Sequence, residues 1–313
     1  MLTEISNEII RFCGEHRISL HRDQPLNKFT TFKTGGNAAL FLMPDAVEKS
    51  MALQEYLSTL EVDTFVLGGG SNLLISDAGF AGVVIKPDYP ENLDFLTGQG
   101  NDGDADLVFR APASARSSFV GKKISSMGFG GLEFLTTIPG TLGGALVQNA
   151  GCYGFEIADS VEKIGISDKG SFREIEKADA GFAYRSSVFK QNPGWWVHYA
   201  TFRVQRSNLA GINDRIARYK EHRRTSQPKN RKNAGSIFKN PPEGKAWKYI
   251  QDCGLQGFGI GQAEVSHEHA NFIVNTGQAC SQDIYKLMMH IRTTVAEKCN
   301  IFLEPEIVLL GQF

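Results

Sequence analysis

Apolar residues recur along this chain with two periods, and the switches between them mark its elements. Ile5, Ile9, Ile10 and Cys13 fall at helical spacing and predict a short helix within residues 1–20. Ala46, Leu53, Leu57 and Leu60 form a second helical stripe, and Asp45-Ala46-Val47-Glu48 ahead of it has the form of a capping box. Around that helix, Asn27–Gly36 reads as an extended segment closed by a glycine turn. Ala39–Leu42, Phe65–Leu67 and Val83–Ile85 read as strands, the last two completing a β-α-β unit. Short strands dominate from 107 to 206, at Leu107–Arg110, Val161–Ile166, Phe172–Ile175 and Trp196–Arg203, interrupted by a helix over 114–127. Beyond 207 a basic helix carries Ile212, Ile216 and Tyr219 on one face. A helix over 245–253 then stops at Gly254, and strands follow near 262–266 and 271–274. Ile284, Leu287, Met288, Ile291 and Val295 stripe a longer helix after Ser281, and Glu306–Leu310 is the final strand. The order is α+β, without the regular alternation of a doubly wound sheet. No internal repeat is visible.

Composition narrows the class. The 313 residues suffice for two or three domains. A hydrophobic share of 42% with 21% charge is that of a globular protein, and the net charge of −1 gives no field to attract nucleic acid or an anionic membrane. The first 20 residues lack a basic segment followed by an apolar one, and no apolar run reaches the length of a membrane span. The five cysteines share no CxxC spacing, which argues against a disulfide scaffold or a zinc ribbon. A cytoplasmic monomer is expected. Glycine is abundant, at 33 residues, and its placement is the main chemical signal.

Two glycine clusters stand out. Gly68-Gly69-Gly70-Ser71-Asn72 follows an apolar run and reads either as an anion nest of converging amides or as a plain tight turn. It matches neither the P-loop nor the Rossmann fingerprint. The second cluster, Gly131 to Gly151, packs Thr137, Ile138, Pro139, Gly140, Thr141, Gly143, Gly144, Ala145 and Asn149 between apolar positions. Residues without bulky side chains let backbone approach a flat or anionic group, and two such cradles suit an extended dinucleotide. The segment 97–106 is polar and Gly-rich, an exposed hairpin or loop.

Other motifs are weaker on their own. Phe182–Phe189 alternates as a strand does, with Arg185 read either as a snorkelling surface cation or as a fork for a carboxylate or phosphate. Ser236 follows a glycine, but no GxSxG elbow surrounds it. Glu304 and Glu306 share a face if Leu303–Ile307 is extended, and spacing does not say which acts. His267-Glu268-His269 lacks a third ligand at recognisable spacing, so no metal is expected. Cys152 reads as a packed thiol. Arg218, Lys220, Arg223, Arg224, Lys229, Arg231 and Lys232 form a basic cluster with only Tyr219 as an aromatic. It suits a small polyanion or a solvated helix better than nucleic acid.

Six motifs in order, GGGSNLL (68–74), GLEFLTTIPGTLGGALVQNAG (131–151), YRSSVF (184–189), GSIFKNP (235–241), HANFIVN (269–275) and LEPE (303–306), resemble those of the UDP-N-acetylenolpyruvoylglucosamine reductases. These are flavoenzymes of peptidoglycan precursor synthesis, and the resemblance spans almost the whole chain. It implies a two-subdomain FAD-binding domain of the vanillyl-alcohol-oxidase (PCMH) type, at 21–90 and 91–206 behind the helix of 1–20. An α+β substrate-binding domain would follow at 207–313. It implies non-covalent FAD with its diphosphate near Gly68–Asn72 and Ile138–Ala145, NADPH as reductant, and a UDP-sugar enolpyruvate as substrate. Arg185 and Glu306 match the family's stabilising cation and acid, the acid having to carry a proton to donate. Ser236 matches its proton donor.

The chain departs from the family pattern in two places. Fifty-one positions separate Arg185 from Ser236. That leaves no room for the insertion bearing a substrate-closing tyrosine, so Lys239, Asn240 and the basic helix become the candidates for holding the UDP group. Cys152 stands where the family commonly has a smaller residue. An FAD oxidase of an alcohol or sugar on the same fold is the alternative, disfavoured because oxidation needs a base where Ser236 stands. A non-catalytic nucleotide-sugar or nucleic-acid binder is a further one.

Overall fold

The computed structural model describes residues 2–97, 106–229 and 232–313. Its chain divides into two compact units. The first gathers Met1–His21, Leu40–Gly69 and Val83–Glu221, and the second Arg22–Ala39, Gly70–Gly82 and His222–Phe313. Segments 22–39 and 70–82, read from the sequence as part of an FAD-binding subdomain, thus group with the C-terminal residues. The reason is core packing: Phe32 and Leu74 are fully buried in the same apolar cluster as Ile237, Ile284 and Ile307.

In the first unit an antiparallel sheet orders its strands Ser171–Glu176, Val161–Asp168, Trp195–Arg206, Asp106–Pro112 and Asp94–Thr97. Phe129–Gly130 pairs with the far end of Trp195–Arg206. Alternation drives the faces apart, since successive strand residues point to opposite sides. Leu107, Phe109, Ala111, Ala200, Phe202 and Val204 enter the core, while Arg110 lies over the Tyr199 ring on the other side. Helices α3 (Ser117–Ser126), α4 (Leu142–Gln148) and α5 (Val188–Gln191) belong to this half, with α3's Val120 and Ile124 and α4's Leu142 and Leu146 in that core. The Gly-rich segment 98–105 lies outside the described residues; Asp94–Thr97 and Asp106–Pro112 on either side pair antiparallel.

Helices α1 (Leu2–Glu15) and α2 (Val47–Ser58) cover a second core. There Ile9 and Cys13 meet Leu42, Leu53, Leu57, Val83 and Ile85. The expected capping box at Asp45 does not form. Ala46 is the cap residue of α2 and offers no side-chain acceptor. The Asp45 carboxylate instead takes Lys49 at 2.7 Å, which holds its pKa below the usual carboxylate value. Strands Thr64–Val66 and Phe80–Ile85 run parallel, although the chain between them passes through the strand Leu73–Ile75 and not through a helix.

A buried polar chain ties α2 to the large sheet. Tyr89 donates to Ser50 Oγ at 2.7 Å and lies 2.9 Å from His198 Nδ1. His198 Nε2 is 2.7 Å from Ser167 Oγ, which donates to Gln54 Oε1. Gln54 Nε2 in turn donates to the carbonyls of Ser167 and Gly194. His198 is 1% exposed, and burial pushes its pKa down to about 4.

In the second unit α7 (Ala246–Asp252) and α8 (Ser281–Cys299) pack with an antiparallel sheet of Gly259–Ile260, Ala263–Val265 and Ile273–Asn275. The predicted α8 stripe is what enters this core: Ile284, Leu287, Met288, Ile291 and Val295 are all buried. Each such side chain contributes about 1.5–3 kcal/mol of transfer free energy. Gly254, at φ +76°, follows α7 in a conformation open to glycine without strain. The final strand is shorter than expected. Only Val308–Leu310 is a strand, parallel to Leu73–Ile75, whereas Pro305 makes an isolated bridge to Phe238. The basic helix α6 (Leu209–Ser226) is the element in which the chain leaves one unit for the other.

Candidate active site

In the first unit the two glycine clusters meet. A Cβ on Gly69 would collide with Gly140 Cα, and one on Gly68 would sit 2.7 Å from Thr141 Oγ1. Gly140 itself has φ +99°. Close approach of two loops therefore explains part of the glycine signal before any ligand is invoked. Behind the contact, Gly143 N donates to Ala113 O, Leu142 N to Ala115 O and Ala145 N to Thr141 O. Gly144 N donates to Thr141 Oγ1 at 3.4 Å, making Thr141 the cap of α4. Those amides are spent inside the protein. Among the described residues, the amides of Gly68, Gly69 and Gly140 donate to no acceptor. A backbone cradle with unspent donors and no Cβ atoms fits an anionic group such as a diphosphate. Thr137 closes the 3-10 turn that leads into this loop, its hydroxyl donating to Phe134 O at 2.9 Å, and Ile138 caps that turn.

Arg185 sits on a turn, not on the strand its neighbours predict. Ala183 and Ser186 exchange backbone hydrogen bonds of 3.1 and 3.0 Å, leaving Tyr184 and Arg185 at the tip, and α5 starts at Val188. Arg185 has φ +53°, a left-handed conformation that a non-glycine residue holds only when its surroundings impose it. Those surroundings are visible. Asn149, 1% exposed and itself left-handed at the end of α4, donates from Nδ2 to Ala183 O at 3.1 Å and to Glu156 Oε2 at 2.7 Å. Ser187 donates to Val147 O, and the guanidinium donates to Gly151 O at 3.0 Å. Asn149, read from the sequence as a cofactor contact, is thus engaged with protein in holding the arginine turn. Cys152 is half-buried beside the same core.

In the second unit a four-residue segment, Ser236–Lys239, is laced from two sides. Glu306 N donates to Ile237 O at 2.7 Å and Lys239 N to Glu304 O at 2.9 Å. From the other side Ile237 N donates to Asn271 O at 2.9 Å, and the Asn271 side chain bonds both backbone groups of Phe238. Ser236 and Glu306, both half-buried, are therefore fixed to one another through Ile237. Gly235, at φ +78°, gives the turn into the segment. Leu303–Ile307 is not a regular strand, so the one-face argument for Glu304 and Glu306 does not hold. Glu304 is exposed and pairs with Lys239 Nζ at 2.6 Å, whereas Asn72 Nδ2 donates to the Glu306 carbonyl at 3.1 Å. Gly70, at φ +61°, has no room for a Cβ beside Phe29 O.

Lys239 has a carboxylate partner, and Asn240 Oδ1 accepts from Ala246 N at 3.1 Å, where α7 begins. His267 lies 3.5 Å from Glu264, and His269 Nδ1 accepts from Asn271 N. Burial lowers the His269 pKa. Among the described residues no three His, Cys, Asp or Glu side chains gather as metal ligands. Tyr219 of α6 stacks on Tyr153 at 4.2 Å, and Arg231 lies outside the described residues. Sequence reasoning gave no role to Asn271, although it sits in the HANFIVN motif; a lone amide within an apolar strand was the available signal. It also passed over Glu133, 4% exposed, whose Oε1 takes Arg215 Nη2 at 2.6 Å and whose Oε2 takes Gly131 N at 2.7 Å.

An FAD binding domain model matches residues 38–168, and the model of the UDP-N-acetylenolpyruvoylglucosamine reductase C-terminal domain matches 227–310. The UDP-N-acetylenolpyruvoylglucosamine reductase of Lachnoclostridium phytofermentans is 37% identical over 309 residues, covering 98% of this chain and 97% of that protein. The enzyme of that name from Carboxydothermus hydrogenoformans is 37% identical over 93% of each chain. A crystal structure of UDP-N-acetylenolpyruvylglucosamine reductase from Thermus caldophilus aligns with a TM-score of 0.75 and 31% identity, covering 94% of this chain and 99% of its own. A vanillyl-alcohol-oxidase-type FAD-binding domain joined to such a C-terminal domain defines a flavin-dependent oxidoreductase. This chain belongs to the UDP-N-acetylenolpyruvoylglucosamine reductase family.

Proposed function

We propose that this protein reduces the enolpyruvyl ether of UDP-N-acetylglucosamine to the lactyl ether of UDP-N-acetylmuramate, a step of peptidoglycan precursor synthesis. It would work as a cytoplasmic monomer with NADPH as reductant. The observation that carries the reading is the backbone lacing of Ser236–Lys239 against Glu304–Glu306, which joins the stretches that carry a hydroxyl and a carboxyl. The Gly68–Gly69 and Gly140–Thr141 loops would hold the FAD diphosphate, non-covalently, with residues 21–90 and 91–206 as the two FAD-binding subdomains and 207–313 as the substrate domain, the first subdomain lending 22–39 and 70–82 to the core of the last. Bound FAD supplies hydride chemistry, recharged by NADPH.

The chain's own residues then meet a defined demand. Hydride addition at the terminal carbon of the enol ether moves negative charge onto the substrate carboxylate. Arg185 supplies a permanent positive charge for it, and a protonated Glu306 a hydrogen-bond donor; preorganised donors of this kind usually contribute more to catalysis than any other effect. The neighbouring carbon, now carbanionic, takes a proton from Ser236. A serine hydroxyl is a weak acid, but an enolate carbon is basic enough to accept from it. Lys239, Asn240 and α6 are assigned to the UDP group.

The test is an anaerobic spectrum. NADPH should bleach the flavin band, and the enolpyruvyl sugar nucleotide should restore it. A flavin that NADPH leaves oxidised overturns the reductase reading. Ser236→Ala should slow the second phase by about 10²-fold or more and spare the first.

A further inference from the structure

We infer that Asn271 is a positioning residue for the proton-donating serine, an assignment that rests on the reading of Ser236 as the donor. The side chain of Asn271 is buried, at 4% exposure, and both ends of its carboxamide are used on one residue. Phe238 N donates to Oδ1 at 3.0 Å, and Nδ2 donates to Phe238 O at 2.8 Å. Its backbone carbonyl accepts from Ile237 N at 2.9 Å. Side chain and backbone carbonyl of Asn271 together thus do what an adjacent β-strand would do, for the two residues that follow Ser236. On the opposite edge the same segment is held by Glu306 N on Ile237 O and by the Phe238–Pro305 bridge. Asn271 is itself fixed, its amide donating to His269 Nδ1 at 3.2 Å.

The chemistry asks for asparagine at this position. A carboxamide offers one donor and one acceptor in a fixed plane, matching the N–H and C=O of a single residue. Aspartate has no donor for Phe238 O and would bring a charge into a buried site. Leucine has the right volume and neither polar group, so it would leave both Phe238 groups unpaired. In either case Ser236–Lys239 keeps the Glu304–Glu306 edge and the bond from Ile237 N to the residue 271 carbonyl, but the two-point side-chain clamp on Phe238 is lost. Proton delivery depends steeply on placement: an error of about 1 Å can cost about 10²-fold. The loss therefore falls on the protonation step and not on hydride entry from NADPH.

Rapid-mixing measurements on the FAD-loaded enzyme separate the two steps. For Asn271→Asp the expected result is flavin reduction by NADPH within about twofold of wild type and reoxidation by the enolpyruvyl sugar nucleotide slowed about 10- to 100-fold. Added to Ser236→Ala, the same change should slow reoxidation no further, because the donor it positions is already gone. A parallel fall of both half-reactions, or a full additional loss in the double variant, overturns the assignment and makes Asn271 a purely structural residue. Unchanged reoxidation in Asn271→Asp, with Ser236→Ala impaired, overturns it as well. Normal reoxidation in Ser236→Ala overturns the underlying reading instead, so the two failures are distinct. If Asn271→Asp does not fold, Asn271→Ser, which keeps a hydroxyl in less volume, is judged by the same outcomes.

Discussion

Between pH 7.5 and pH 5 the first unit should lose stability through one side chain, His198. Its ring nitrogens face two hydroxyls, Tyr89 and Ser167, and the ring of Phe172 lies on its flank. A neutral imidazole donates from one nitrogen and accepts at the other, and burial favours that uncharged form over the imidazolium. An imidazolium must donate from both, and desolvation sets its folded pKa at about 4. The unfolded value is about 6.5. The unfolded chain therefore binds more protons between these limits, and the stability fully present above pH 6.5 is lost as pH falls towards 4. Linkage gives a loss of about 2 kcal/mol between pH 7.5 and 5, and about 3 kcal/mol by pH 4. At a urea dependence of about 2 kcal/mol/M, the first figure moves the unfolding midpoint by about 1 M. Trp195 and Trp196 lie in the strand that carries His198, so tryptophan fluorescence during urea unfolding reports on this region. Wild type and His198→Gln should be compared at both pH values, which cancels the other histidines. If the wild-type midpoint falls no further than that of the variant, a buried neutral His198 is not what holds α2 to the sheet.

Gly69→Ala would drive a methyl group into Gly140 Cα, so one of the two loops must move. An overpacking strain of about 1.5–3 kcal/mol should weaken FAD binding about 10- to 100-fold, measured by flavin absorbance relative to protein after gel filtration; full flavin retention would place the cofactor elsewhere. Arg215→Ala should destabilise the first unit by about 3 kcal/mol, because it removes the cation from a Glu133 carboxylate that is buried and keeps the Gly131 amide as a donor. Urea unfolding checks this, and a companion Glu133→Gln change in Arg215→Ala should recover part of the loss by removing the stranded charge.

What could be read from the sequence was local or came as a whole. The α8 stripe is a complete periodic signal, and every residue in it is buried. The turn after α7 was legible because Gly254 is a punctuation residue whose meaning does not depend on context. Where tertiary contacts set the conformation, local reasoning went astray. Phe182–Phe189 alternates like a strand, but Asn149 and Ser187 tie it into a turn through bonds that span 34 and 40 residues. Asp45 looks like a cap until Lys49 claims it. The polar chain through His198 draws on Ser50 and Gln54, one turn apart on α2, and on Tyr89 and Ser167, which no spacing rule connects to them. The catalytic candidates were legible only through the family resemblance, since neither GSIFKNP nor LEPE carries a mechanism on its face.

The path of the chain through the second unit bears on how the protein is made. Asn72 and Glu306 share a hydrogen bond across 234 residues of sequence, and Leu73–Ile75 pairs with Val308–Leu310. On the ribosome, Arg22–Ala39 and Gly70–Gly82 emerge long before their partners exist. During that interval the strand Leu73–Ile75 and the side chain of Phe32 are apolar surface without a core, the condition in which nascent chains aggregate. Closing so long a loop is slow, although its entropic cost grows only with the logarithm of its length. The second unit therefore reaches its native pairing only after residues 304–310 have been translated. A block in elongation between residues 82 and 222 yields a chain whose early segments have nothing to fold against, a natural substrate for chaperones that hold extended apolar strands.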